Sequence, residues 1–471
     1  MSSTENSQDV AARKKRTAKV RLFIYCAAGM AGLLFGLDQG VIAGALPFIS
    51  KEWGLDSLTQ EWVVSSMMLG AATGALAASF LAKEIGRRKS LLFGAAVFIC
   101  GCFMSGLAPN VTVLIAARLA LGISIGVASY TAPLYLAEMA EKNSRGKVIS
   151  GYQLMVTVGI LAAFISDTFF SYTGSWRTML TIICIPGFIL FGTVLMLPDS
   201  PQWFATKGRF EEAKAVLEKL HETNEAAAAE LADIKDTLKV KQAGWSLFKV
   251  NKNVRRAVFL GIMLQAMQQL TGINVIMYYA PKIFGLAGFS TTEEQMIATV
   301  LVGSVNVLAT FIAIGMVDRA GRKPALKIGF TVMALSMAAV AVCMGMLQAG
   351  SAPSWVPYVA AGMTMMMIAG FAMSAGPVVW MLCSEIQPLK SREFGIACST
   401  MTNWITCAIV GATFLSLIDT LGSANTFWVY AGLNAFFIVL TVAFIPETKG
   451  VSLEDIEKNL MSGKKLRNIG C

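Results

Sequence analysis

The sequence predicts an all-α membrane protein whose twelve transmembrane helices form two pseudo-symmetric six-helix halves. Three observations carry this expectation. The 471 residues are 55% hydrophobic and only 14% charged, against about 25% charged in a soluble domain, and the mean hydropathy is +0.61. The apolar residues fall in long blocks parted by short polar loops. Matching signatures recur along the two halves at nearly one offset. Such a composition excludes a soluble enzyme, a disordered chain and a nucleic-acid binder in water. The net charge of +10, from 39 Lys and Arg against 29 Asp and Glu, gathers in loops between apolar blocks and reads as membrane orientation.

A helix needs about 20 apolar residues to cross a bilayer. Blocks of that size lie near 22–48, 60–82, 90–108, 111–137, 148–170 and 177–197, and again near 257–280, 296–317, 325–348, 355–382, 394–418 and 426–445. Basic residues assign the sides, because loops on the cytoplasmic face carry the excess of Lys and Arg. Arg13, Lys14, Lys15, Arg16, Lys19 and Arg21 precede span 1. Arg87, Arg88 and Lys89 follow span 2, Lys142, Arg145 and Lys147 follow span 4, and Arg319, Arg322 and Lys323 follow span 8. Lys390 and Arg392 follow span 10, whereas the opposite loops hold little beyond Lys51, Arg177 and Lys282. Both termini are therefore expected in the cytoplasm. The organisation that follows is a cytoplasmic tail over 1–21, a first half over 22–197, a cytoplasmic helical linker over 198–253, a second half over 254–446 and a cytoplasmic tail over 447–471. Span 1 is too long for the apolar core of a cleavable signal.

Gly86-Arg87-Arg88-Lys89 recurs as Gly321-Arg322-Lys323, an offset of 235; Gly36-Leu37-Asp38 recurs as Gly272-Ile273-Asn274, at 236; and Pro47 matches Pro281, at 234. Glu138 and Arg145 are seven apart, as are Glu385 and Arg392. Two parallel six-helix repeats place a substrate site at their interface near the midplane, so transport is the default reading. The repeat sets Asp38 against Asn274, which suggests coupling chemistry in the first half and ligand contact in the second.

The nine cysteines, without a CxxC pair or a neighbouring histidine, read as small hydrophobes; neither a disulfide framework nor a zinc site is expected. The single histidine, His221, lies in the linker, so proton chemistry within the membrane falls to carboxylates. No nucleophile or metal cluster suggests an enzyme, and no cofactor is called for beyond a proton gradient. Asp38 lies 17 residues past Arg21, about 25 Å along a helix, and Arg118 enters span 4 from the other side to a comparable depth. Burial favours the neutral acid and a nearby guanidinium favours the carboxylate, so a changing separation would let Asp38 hold or release a proton. The alternative is a permanent Asp38–Arg118 bridge. Glu138 and Glu385, at cytoplasmic ends of spans 4 and 10, face Arg145, Arg392 and the turns carrying Arg87, Arg88 and Arg322. They are expected to form an inter-helix charge network that latches the cytoplasmic side, with ordinary surface pairing as the alternative. Asp167, near the outer end of span 5, is expected to face water.

Polar side chains interrupt apolar spans at Gln153, Gln268, Gln269, Asn274, Asn306, Trp380 and Asn403. Amides both donate and accept, which suits an uncharged polyhydroxylated ligand, and an indole offers a flat apolar face to a sugar ring. Gly376-Pro377 in span 10 removes a backbone hydrogen bond and is a candidate gate hinge.

These residues resemble the sugar porter family of the major facilitator superfamily over essentially the whole chain. The motifs are GRRKS (86–90), ARLALGISIG (117–126), PLYLAEMAEKNSRG (133–146), YQLMVTVGI (152–160), QQLTGINVIMYYAPKIF (268–284), VDRAGRK (317–323), GPVVWMLCSEIQP (376–388), Asn403-Trp404 and PETKG (446–450). Within the family the likeness is to bacterial proton-coupled carriers of arabinose and galactose. The resemblance implies the major facilitator fold, alternating access, sugar contact by the seven residues above, and Asp38 as the protonation site with Arg118 as its partner. Facilitative relatives lack an acid at the Asp38 position. It also implies a multi-pass protein of a bacterial inner membrane, surrounded by lipid, working as a monomer on L-arabinose, D-galactose or both. A uniporter of the same sugars and a sugar sensor are the competing readings. Two departures touch the inner charge network: Lys83 stands where the second half has Asp318, and Gln202 stands in PDSPQW where the family usually has arginine.

Overall fold

The computed structural model describes residues 7–140, 145–238, 244–350 and 352–470, and within them the side chains outside 7–13, 145, 147, 237 and 316–320. The described residues are helices and loops, and twelve helical stretches are long and apolar enough to cross a membrane. The first half comprises α1 (Ser7–Trp53), α2 (Ser57–Glu84), α3 (Arg87–Gly106), α4 (Val111–Met139), α5 (Arg145–Ser171) and a sixth span split into α6 (Trp176–Ile182) and α7 (Cys184–Leu195). Short helices α8 (Pro201–Thr206), α9 (Phe210–Leu220), α10 (Asn224–Thr237) and α11 (Gly244–Val250) form the linker. The second half comprises α12 (Lys252–Leu270), α13 (Ile273–Leu286), α14 (Thr292–Ala320), α15 (Arg322–Gln348), α16 (Val356–Ala372), α17 (Ala375–Glu385), α18 (Arg392–Gly411), α19 (Phe414–Leu421) and α20 (Ser423–Phe444), with α21 (Leu453–Met461) beyond it.

Several helices extend beyond or break within the apolar blocks. Among the described residues helix α1 already runs from Ser7, ahead of the block near 22–48, because the Ala-, Arg- and Lys-rich stretch before it is itself a good helix former. Span 7 breaks at Thr271-Gly272, where Gly272 adopts φ +89°, and bends again at Tyr279, two residues before Pro281. Span 10 breaks at Met373-Ser374, just ahead of the expected hinge at Gly376-Pro377. The cause is Pro377, which has no N–H to return to the Met373 carbonyl. Span 11 breaks at Ala412-Thr413.

Lipid tails give apolar side chains no preference for helix over lipid, so close helix pairs depend on small residues. Gly32, Gly36, Gly40 and Gly44 make a four-residue stripe on α1 that receives α5. A Cβ at Gly36 would sit 1.9 Å from the Val156 carbonyl oxygen. Gly70 and Gly74 on α2 likewise meet Gly122, Ile123 and Leu119 on α4. This stripe overturns one expectation. Asp167 does not face water: it is 1% exposed, with its carboxylate against Gly44 and neither oxygen hydrogen-bonded. Hydropathy placed it near a span end, but the missing Cβ at Gly44 lets α5 come close enough to seal it.

The linker helices share a small apolar core of Ala205, Ala213, Leu217, Ala227 and Ile234. They dock on the first half through Trp203 Nε1, which donates to the Lys83 carbonyl at 2.9 Å, and through Arg21, which donates to the Leu220 carbonyl. The two halves meet where α1 packs on α13, α2 on α18 and α19, and α5 on α14. Toward the end where α1 gives way to α2, polar contacts cross this seam. Glu61 accepts from Ser416, Lys282 donates to Gln60 at 3.4 Å, and Tyr172 donates to Glu293 at 3.1 Å.

Candidate functional site

Asp38 on α1 and Arg118 on α4 meet in the first half. Arg118 Nη1 donates to Asp38 Oδ1 at 2.8 Å, and both side chains are fully buried. The pair is held by this one bond: Asp38 Oδ2 and Arg118 Nε and Nη2 have no hydrogen-bond partner. Full burial of two charges costs several kcal/mol per ion before their attraction offsets it, and the offset is complete only when the remaining donors and acceptors are satisfied. This arrangement leaves three buried polar atoms of the pair without a hydrogen-bond partner.

The second half gathers amides. Gln268 Nε2 donates to the carbonyls of Ala375 at 2.8 Å and Gly376 at 3.1 Å, the first turn after the break in span 10. Asn403 Nδ2 donates to Gln268 Oε1 at 2.8 Å and to Gln265 Oε1 at 2.6 Å. Gln269 Nε2 lies 3.4 Å from Gln268 Oε1, and Asn274 donates to Gln269 Oε1 and to Cys407 Sγ. Four of the seven expected ligand residues thus form one buried network around the breaks in spans 7 and 10. Its polar groups are convergent and neutral, the donor and acceptor set that an uncharged polyol requires. Asn306 on α14 is buried outside it; Gln153 on α5 is exposed, and Trp380 on α17 is 41% exposed. These three stand apart from the hydrogen-bond chain.

Gln39, Gln265, Tyr278 and Cys407 join the network without having been singled out from sequence. Gln39 is the most telling. It follows Asp38 on α1, and its Nε2 donates across the seam to Asn274 Oδ1 at 2.8 Å and toward Tyr278 Oη at 3.3 Å. The buried acid and the amide network are therefore one peptide unit and one side chain apart. The signal was available as a second polar residue beside Asp38. Phe35 and Trp404 add a tilted aromatic contact across the same seam, centroids 5.6 Å apart. A cavity of about 390 Å³ lies between α1, α2, α13 and α14, lined by Pro47, Ser50, Gln60, Tyr278, Lys282 and Gln295. It sits toward the end where α1 gives way to α2, beyond the amide network, and touches it only at Tyr278.

The charged turns form a matched arrangement in each half. Arg87 holds Glu138 through two bonds, Nε to Oε2 at 2.8 Å and Nη2 to Oε1 at 2.6 Å. Arg322 Nη2 donates to Glu385 Oε1 at 2.9 Å, and Thr448 donates to Oε2. Each pair joins helices of its own half. Arg88 turns away to the carbonyls of Val194 and Leu195, and Arg392 Nε donates to the Gln387 carbonyl at 3.4 Å. The side chains of Arg145 and Asp318 lie outside the described residues. Lys83 is exposed, and its carbonyl receives Trp203.

Two acids missed by the sequence reading complete the turns. Gly86 and Gly321 both have positive φ, +98° and +85°, and both open a helix without a side-chain cap of their own. Asp199 Oδ1 accepts from the amides of Arg87 and Arg88, and Glu447 accepts from those of Arg322 and Lys323. Each carboxylate satisfies orphan donors at a helix start. Burial pushes the Glu447 carboxyl up, but the amides of Arg322, Lys449 and Lys323 outweigh it and hold the group below its ordinary value of 4.5. The recurrence of Pro198-Asp199 as Pro446-Glu447 after the last span of each half was the legible signal.

A family model described as "Sugar (and other) transporter" matches residues 24–460. The chain is 60% identical over 454 residues to the arabinose-proton symporter of Escherichia coli K12, covering 96% of each protein. It is also 60% identical over 462 residues to that organism's galactose-proton symporter, covering 98% of this chain and 99% of the relative. Among solved structures, a partially occluded inward-open form of an E. coli xylose transporter superposes with a TM-score of 0.79 at 28% identity, covering 92% of this chain and 100% of that one. A proton:xylose symporter bound to 6-bromo-6-deoxy-D-glucose superposes with a TM-score of 0.75 at 27% identity, covering 96% and 99%.

Proposed function

The chain belongs to the sugar transporter family, and from that premise we propose that it carries a monosaccharide, L-arabinose or D-galactose, together with a proton by alternating access between its two halves. It is a multi-pass membrane protein of the bacterial inner membrane, and in our reading both termini are cytoplasmic and a monomer is the working unit. No cofactor enters; the proton gradient supplies the energy.

The observation that carries this reading is the half-satisfied, fully buried Asp38–Arg118 pair lying next to Gln39, whose amide reaches Asn274. In the cycle we propose, Asp38 takes a proton while the site is open outward, which releases Arg118 from its single bond. Sugar then binds the amides of Gln268, Gln269, Asn274 and Asn403, with Gln153, Asn306 and Trp380 closing on it from the facing helices. The break at Met373-Ser374, where Pro377 returns no N–H to the Met373 carbonyl, lets the α17 half-helix swing as a gate, and Gln268 ties its first turn to the amide network. Opening inward brings Arg118 back to Asp38 and expels the proton. Glu138–Arg87 and Glu385–Arg322 each brace the cytoplasmic turns within one half, so that each half moves as a unit. If the termini are inside, as this reading has them, the seam contacts of Glu61, Lys282 and Tyr172 lie at the outer end and hold the two halves together there.

A permanently paired Asp38–Arg118 would present the same 2.8 Å bond and would leave a uniporter. Proteoliposomes holding the purified protein separate the two. An imposed inward proton gradient should concentrate arabinose or galactose above the external level. Equilibration without accumulation would leave facilitated diffusion.

A further inference from the structure

Glu61 lies four residues into α2 and is fully buried at the seam between the halves. Its Oε1 accepts from the Ser416 backbone N–H and its Oε2 from the Ser416 hydroxyl, both at 2.7 Å. Ser416 is the third residue of α19, whose first amides are orphaned by the break at Ala412-Thr413. The helix's own N-cap residue, Thr413, makes no side-chain cap; its hydroxyl turns back to donate to the Ile409 carbonyl at 2.8 Å. The cap of a second-half helix is thus supplied by a first-half carboxylate. Around it, Tyr279 donates to the Gly411 carbonyl at 2.8 Å, and Lys282 reaches Gln60, the neighbour of Glu61.

We propose that Glu61 is a positioning residue of the transport cycle: by capping α19 across the seam, it latches the outer gate and sets how much of the resting protein is open to external sugar. A carboxylate on a helix start is favoured by both the free amides and the helix dipole. Opening the halves at this end separates Glu61 from Ser416 and leaves α19 uncapped, so the two bonds stabilise the closed arrangement selectively. The proposal rests on the alternating-access reading, but neither the sugar transported nor proton movement enters it.

The test is hydrogen–deuterium exchange of the purified, sugar-free full chain, comparing wild type with Glu61→Ala, Glu61→Gln and Ser416→Ala. Loss of at least one charge-assisted bond should raise the open population about tenfold or more in Glu61→Ala. Exchange should therefore rise over residues 38–60 and 273–286 as well as over 413–421. Glu61→Gln, whose amide oxygen still accepts the Ser416 N–H, should recover much of the protection. Ser416→Ala, which keeps the backbone bond, should show the same pattern at a few-fold and carries the test should Glu61→Ala fail to fold. In transport, the latch variants should lower the KM for external sugar while Vmax falls, because a larger competent fraction raises apparent affinity and closure is less favourable. Faster exchange confined to 413–421, with 38–60 and 273–286 at wild-type rates, would reduce Glu61 to a helix cap and overturn the proposal. Unchanged exchange throughout would overturn it too. Failure of symport itself appears separately, as absent proton-driven accumulation with the exchange pattern intact.

Discussion

Removing one charge of the Asp38–Arg118 pair should cost more than removing both. Asp38→Asn leaves the guanidinium, fully buried with Nε and Nη2 already unmet, without an anion. Breaking a buried pair from one side costs about 3–5 kcal/mol. Asparagine can still accept the 2.8 Å bond from Nη1, which places the expected loss near 3 kcal/mol. Replacing both with neutral side chains of similar volume, Asp38→Asn with Arg118→Met, removes the uncompensated charge and should recover about 2 kcal/mol or more. Thermal unfolding of the detergent-purified protein reads this as a fall in Tm of several degrees for the single variant, at roughly 2 °C per kcal/mol, largely restored in the double. A single variant as stable as wild type, or a double variant whose loss equals the sum of the singles, would refute the reading of an under-satisfied ion pair.

Other sites give sharper single readouts. Gln268→Ala removes a proposed sugar contact and frees the Ala375 and Gly376 carbonyls; the sugar Kd measured by tryptophan fluorescence should rise about tenfold or more. Gly36→Val places side-chain atoms where a Cβ already falls 1.9 Å from the Val156 carbonyl. It should abolish folded protein in the membrane, whereas Gly192→Val, at a glycine with open space around it, should not. Glu447 is held below its ordinary value, so its contribution to stability is complete above pH 4.5 and is lost as pH falls through its lower folded value. Melting profiles of Glu447→Gln should accordingly lie below wild type near neutrality and converge with it in acid.

The long apolar blocks were enough to read the twelve spans, because a span depends on local composition over a helix length. Asp38 and Arg118 were legible for the same reason: a charge in an apolar span is costly wherever it falls, and depth arithmetic set the two level. The contacts that depend on how closely helices approach were not legible. Asp167 looked exposed until the stripe ending at Gly44 brought α5 against α1. Gln39 gives no sign in sequence of its role across the seam, because its partner, Asn274, is 235 residues away on the other half. Glu61 sits near a loop, as solvated acids do, and only the break in span 11 gives it a partner. The span 10 hinge was read from Gly376-Pro377, yet the chain breaks at Met373-Ser374, since a proline releases the carbonyl four residues before it. Asp199 and Glu447 are visible as a repeated Pro-acid pair, but their partners, the amides of the Gly86 and Gly321 turns, lie more than 100 residues away in sequence.

The central claim is that a proton moves with the sugar through Asp38. The most direct measurement is pH recording in lightly buffered, de-energised cells carrying the wild type or Asp38→Asn, matched for membrane abundance, with arabinose, galactose, xylose and glucose added in turn. Alkalinisation of the medium on arabinose or galactose, absent in the variant, is the expected result. Sugar entry with no pH change, and the same entry in Asp38→Asn, would contradict the account and leave Asp38 as the structural partner of Arg118 in a uniporter.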